Sequence, residues 1–250
     1  MLIKLLGIVA GVAGLIGFCT AILPRILRRI RGLPPPPSLT DVDIFRIAEE
    51  LERRRGIRPE LDGLPNAVPA IRDPLAEALA LMVEAKWDMA VSKLRDALPL
   101  AKAQQLVALY NLLGACYEAT GRWNDALETF KKSAGLAADC GDKKAESIAL
   151  INTGVILQRS GHRPEALELH ERALKLAREL GDRGSEALAM GNIGLYWHHK
   201  GVRDKALEYI GLALDAAGDS GDRQFQGQVL SEAGLIHKEH GEWNEALEFF

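Results

Sequence analysis

GRWNDALETF at 121–130, GHRPEALELH at 161–170, GVRDKALEYI at 201–210 and GEWNEALEFF at 241–250 are one ten-residue block met four times at intervals of 40. A strict period of this length marks a stacked repeat array, in which each unit buries its apolar face on the next. A second ladder, the Gly-Asp pairs at Gly141, Gly181 and Gly221, keeps the same interval and falls midway between the blocks. Each unit therefore has two breaks. Between them the apolar residues recur at helical spacing, as in Leu127, Phe130 and Ala134 or Leu167, His170, Ala173 and Leu174, with no alternation of period two. Two helices per unit follow.

Asp88, Asn124, Asp204 and Asn244 stand just before the Ala-Leu or Ala-Val of the second helix and are expected to be its N-caps, with Pro164 in the equivalent place of one unit. Glu128, Glu168, Glu208 and Glu248 are then expected in the first turn, where carboxylates suit the positive end of the helix dipole. Gly141, Gly181 and Gly221 are expected to end helices in the left-handed conformation, and the Asp after each to cap the next helix.

These residues resemble the tetratricopeptide repeat family. Gly114, Gly154, Gly194 and Gly234 sit at the small position of the first helix, with a turn glycine seven residues on and Ala126, Ala166, Ala206 or Ala246 twelve on. Small residues there let crossing backbones approach. Tyr117 and Phe130 fit the bulky signature positions, whereas Leu157, His170, Ile210 and His237 depart from them. A diverged first unit is recovered from Pro74 onward through Ala78, Ala85, Trp87, Ala90 and Ala97, joined to the next by four fewer residues. The repeat of 40 is similar to the long-helix branch of the family, found in Pins-type spindle adaptors, kinesin light chains and bacterial signalling proteins. The resemblance implies an all-α, right-handed superhelical solenoid of antiparallel helix pairs over residues 73–250, about five units with the last incomplete.

Residues 1–32 carry Lys4, Arg25, Arg28, Arg29 and Arg31 and no acid, so the rest of the chain is more negative than the net −3 of the whole. A basic nucleic-acid-binding domain is disfavoured. From Leu5 to Leu23 there is no charge, and at about 1.5 Å per residue this run makes a helix of bilayer thickness. The arginines that follow it favour an uncleaved, single-pass anchor with the N-terminus outside and the repeats cytoplasmic, over a cleaved leader. Gly7 and Gly11 form a GxxxG on this helix, a weak pointer to self-association. Residues 33–72 form a linker, stiff at Pro34 to Pro37 and helical around Ile44, Ile47, Ala48 and Leu51.

No glycine-rich phosphate loop, nucleophile elbow or HExxH motif appears, and no catalytic residue or cofactor is expected. Cys19, Cys116 and Cys140 are too scattered for a disulfide frame or a Cys-rich zinc site. His198 and His199 lie one unit from His237 and His240, yet no repeated ligand motif marks a metal site. Trp87, Trp123 and Trp243 share one repeat position and are expected to pack at the helix junction.

In this family the first helices line the inner, concave face, which implies a groove for a protein or peptide partner. Matching positions place Asn111, Asn152 and Asn192 along it, beside Val155, Gln158 and Arg159, then Leu195, His198 and His199, then Leu235, Lys238 and Glu239. An amide offers donors and an acceptor, so asparagines one unit apart suit successive backbone groups of an extended chain. The expected function is a membrane-anchored protein-interaction scaffold. Two alternatives are the regulatory portion of a protein whose effector domain lies beyond Phe250, and an organelle-surface receptor. The apolar Leu247, Phe249 and Phe250 at the end of the array favour a longer chain.

Overall fold

The computed structural model describes residue 47, residues 69–220 and residues 223–249. Among the described residues the secondary structure is helical, in five consecutive pairs. These are α1 (Pro69–Val83) with α2 (Trp87–Ala97), α3 (Ala103–Ala119) with α4 (Trp123–Asp139), α5 (Lys143–Arg159) with α6 (Arg163–Leu180), α7 (Arg183–His199) with α8 (Arg203–Ser220), and α9 (Arg223–Glu239) with α10 (Trp243–Phe249). Each helix packs on its pair partner and on the helix that follows, and the first helices α3, α5, α7 and α9 touch in sequence. That is a stack of helix pairs. The apolar run 5–23 and the Gly-Asp at Gly221 lie outside the described residues. Ile47 is helical and packs against the core of the first units.

The turns inside each pair are the same structure repeated. Gly121, Gly161, Gly201 and Gly241 have φ of +72°, +87°, +71° and +77°, a region open to glycine at no steric cost. The next residue then donates its N–H back across the turn, Arg122 to Tyr117 at 2.8 Å, His162 to Leu157 at 2.8 Å, Val202 to Trp197 at 3.0 Å and Glu242 to His237 at 3.0 Å. These bonds satisfy carbonyls that a helix end would otherwise leave unpaired. In the first pair the same turn is made by Ala85 at φ +59°, with Lys86 donating to Leu81 at 2.8 Å.

The turns between pairs behave as the Gly-Asp ladder predicts. Gly141 and Gly181 are left-handed at φ +70° and +68°. Asp142 accepts from the Ala145 N–H at 3.0 Å, and Asp182 from the Ser185 N–H at 3.2 Å. Between the first and second pairs a 3-10 turn, Leu98–Leu100, replaces this device, and Gln105 accepts from the Lys102 N–H at 2.9 Å.

The expected caps of the second helices are corrected. Those helices begin at Trp87, Trp123, Arg203 and Trp243, so Asp88, Asn124, Asp204 and Asn244 are each the second helical residue. The residue before, such as Arg122, has already closed the helix by accepting from Ala126 N–H at 3.0 Å, and no side chain caps it. The tryptophans also differ from expectation. Trp87 packs against the first core, but Trp123 is 38% and Trp243 61% exposed.

The small positions do what the resemblance implies. A Cβ added to Gly114 would stand 2.4 Å from the Phe130 ring, one on Gly154 2.5 Å from the His170 ring, and one on Gly194 3.0 Å from the Ile210 side chain. Ala126, Ala166 and Ala206 are sealed beside them. The pair interface thus repeats one contact, a bulky side chain of the second helix seated on a bare stretch of the first. Two main cores result. One runs through α1 to α4 and includes Ile156 of α5, and the other starts at Leu150 and Ile151 of α5 and continues to α9.

Candidate functional site

Burial along the first helices leaves one stripe half-open. On α5 it holds Ile148, Asn152, Val155, Gln158 and the exposed Arg159, and on α7 Leu188, Asn192, Leu195, His198 and the exposed His199. The spacing of four, three and three to four residues is one face of a helix. On α9 the corresponding Leu235, Lys238 and Glu239 are exposed.

Asn111 is a correction. It is 7% exposed, and neither its amide nitrogen nor its oxygen has a partner among the described residues. Its repeat equivalents are Ile151, buried at 4%, and Gly191, where an added Cβ would meet the Phe225 ring at 3.1 Å. This register faces the next helix pair and not solvent. The residue in phase with Asn152 and Asn192 is Leu112, itself buried, so the asparagine ladder has two rungs.

The two rungs differ in readiness. Asn192 donates from Nδ2 to the Leu188 carbonyl at 2.9 Å, and its side-chain oxygen has no donor among the described residues. The half-buried Asn152 amide has no hydrogen bond among the described residues. Around them Ile148, Val155, Leu188 and Leu195 supply aliphatic surface.

Charges at the C-terminal end of the stripe are tied across units. Arg159 Nη1 lies 3.1 Å from Glu118 Oε1, with its guanidinium 5.6 Å from the centre of the Trp123 ring. His198 Nε2 lies 3.4 Å from Glu239 Oε2. These are the acidic partners that the sequence did not show, and they bridge consecutive first helices. Burial raises the Glu118 carboxyl, with Arg159 opposing. Burial, Arg163 and His198 together hold His199 below the usual imidazole range, against Glu232 and Glu239. His237 Nδ1 is 2.7 Å from Glu242 Oε2, which Arg203 also contacts. Among the described residues no group of three or more His, Cys, Asp or Glu side chains converges as metal ligands would. Cys116 is sealed in α3 and burial pushes its thiol up to about 12, which removes it as a nucleophile at neutral pH.

The site therefore offers amide groups between aliphatic side chains, with most of its nearby charges already paired. Such a surface can hold the backbone and apolar side chains of an extended chain.

Residues 104–179, spanning nearly all of α3 to α6, match the tetratricopeptide repeat family model. No curated protein matches the chain in sequence. Among solved structures the chain is similar to BtubC from P. vanneervenii at a TM-score of 0.63 and 18% identity, over 84% of this chain and 87% of that one. It is similar to a Rap protein complexed with competence and sporulation factor at 0.67 and 14%, over 83% of this chain and 61% of that one. It is also similar to MamA from Desulfovibrio magneticus RS-1 at 0.53 and 15%, over 72% and 91% of the two chains. At these identities the likeness is one of fold.

Proposed function

We propose that the array is a protein-interaction scaffold that holds an extended segment of a partner along α5, α7 and α9, and that no residue of it is catalytic. The observation that carries this reading is the half-open stripe in which Asn152 and Asn192 stand one unit apart between aliphatic side chains. The match to the repeat family over residues 104–179 supports it, as does a similarly folded Rap protein that was solved with a bound factor. Gln158, Arg159, His198, His199, Leu235, Lys238 and Glu239 complete the surface, with Arg159 and His198 acting first as ties between units.

The scaffold is further proposed to be held at a membrane by the uncharged run 5–23, with the repeats on the cytoplasmic side. Among the described residues no helix is long and apolar enough to cross a membrane, so this part rests on the sequence of the first 32 residues.

The groove is tested by selecting binders for the full chain from a library of random extended peptides and measuring their affinity by calorimetry. Each lost amide contact is worth about 1 kcal/mol, so Asn152→Ala with Asn192→Ala is expected to weaken the selected peptides by about tenfold or more. Unchanged affinity in the double variant removes the groove from the reading.

A further inference from the structure

Three helix pairs place a side chain of the second helix against a glycine of the first, and the middle pair does so with an imidazole. His170 is in phase with Phe130 and Ile210, is 0% exposed, and presses on Gly154 as those residues press on Gly114 and Gly194. Neither of its ring nitrogens has a hydrogen-bond partner among the described residues. A neutral ring in such a slot is a tolerable, if costly, replacement for a phenyl group. A charged one is not, because nothing around it can replace the water it has lost.

We propose that His170 is an acid-sensitive joint: protonation of its ring, sealed without a partner between α5 and α6, loosens the third helix pair while the pairs built on Phe130 and Ile210 hold. The ion pairs of the packed helices are formed away from His170. On α5, Glu146 is paired with Arg172 of α6, Lys143 with Glu179 of α6 and Arg159 with Glu118. On α7, Arg183 is paired with Glu186 and with Asp219. No charged group from these helices contributes to the titration of His170, which burial alone pushes down to about 4. The sign follows. The unfolded ring takes up its proton near the ordinary imidazole value and the folded ring resists it, so stability is full above that value and falls as pH drops towards 4. Over that window the folding equilibrium of the joint is expected to fall on the order of a hundredfold.

Asn152 and Val155 stand on the same α5, so opening the joint would also displace the stripe. That consequence rests on the proposed groove, whereas the joint itself does not.

The test uses the full chain without any ligand. Thermal unfolding followed from pH 7.5 to 4.5 should show a midpoint that drops by several degrees more in the wild type than in His170→Phe, which copies the contact at Gly114. Hydrogen exchange at pH 5 should accelerate in α5 and α6 before α3 or α8 in the wild type, and His170→Phe should abolish that order. Should the variant not fold, the wild-type ring settles the matter by nuclear magnetic resonance: His170 must stay neutral to below pH 5. An equal pH dependence in His170→Phe, or a His170 ring that titrates near 6.5, overturns the proposal.

Discussion

Glycine at 114, 154 and 194 shows how far one residue's chemistry reaches in this array. The absence of a side chain lets a whole ring or branched chain of the neighbouring helix lie against the backbone, so the cost of restoring a methyl group depends on what occupies the space. At Gly114 the occupant is the Phe130 ring, itself 1% exposed and unable to swing away. Gly114→Ala is expected to cost about 1–3 kcal/mol through overpacking. Gly135 and Gly211 are also helical, but an added Cβ would meet nothing within 4 Å. Gly135→Ala and Gly211→Ala are each expected to add about 0.5–1 kcal/mol by lowering the entropy of the unfolded chain. Urea unfolding of the three variants checks both signs, and a neutral Gly114→Ala would show that the pair interface is looser than described. The asparagines teach the same lesson in reverse. Asn111 and Asn152 are one type on neighbouring first helices, yet a shift of one place in register seals one against the next pair and leaves the other half-open.

Helices in the stack are held by short contacts that repeat in place and not in identity. Ser133 of α4 donates to the Val107 carbonyl of α3 at 3.0 Å, and one pair later Ser147 of α5 donates to the Ala173 carbonyl of α6 at 3.0 Å. The two bonds join equivalent positions with the donor on opposite helices. In the next pair both places are alanine, Ala187 and Ala213, and both are buried. Close helix approach is therefore what the position preserves, and a hydroxyl is admitted wherever a carbonyl faces it. The element on which the array turns is α5, which contributes Ile156 to the first core and Leu150 and Ile151 to the second. In a linear array stability spreads through neighbouring interfaces, so a cavity at a seam reaches both sides. Ile156→Ala and Ile193→Ala are each expected to cost about 2–5 kcal/mol. Native-state hydrogen exchange should show Ile156→Ala lowering protection in α3 and α4 as well as α6, and Ile193→Ala lowering it only from α5 onward. Identical patterns for the two would mean that α5 is not the seam.

At the scale of the whole molecule the proposed anchor and the array make separate predictions. The 5–23 run should hold the chain in the membrane fraction through alkaline carbonate extraction, and deletion of residues 1–32 should release it with its helical circular dichroism intact. Extraction of the full chain by carbonate would leave the repeats without a membrane role. The four later helix pairs and the glycine turns inside them were legible from the 40-residue period, because a strict repeat of glycine and apolar spacing constrains the backbone locally, one turn at a time, whereas the diverged first pair turns at Ala85 and a 3-10 turn that the period does not show. The Gly-Asp turns at Gly141 and Gly181 fell where the sequence placed them for that reason. The caps at Asn124 and Asp204 did not, since the turn glycine's returned hydrogen bonds start the helix one residue earlier than propensity alone suggests. Only the tertiary structure decided which asparagines stay accessible, that Arg159 and His198 find acids on the neighbouring unit, and that His170 is sealed without a partner. Each of these depends on the register of one helix against the next. The sequence by itself determined the array, because periodicity is a property of the chain; the surface was left to packing, because a side chain's exposure and partners are set by residues a full unit away.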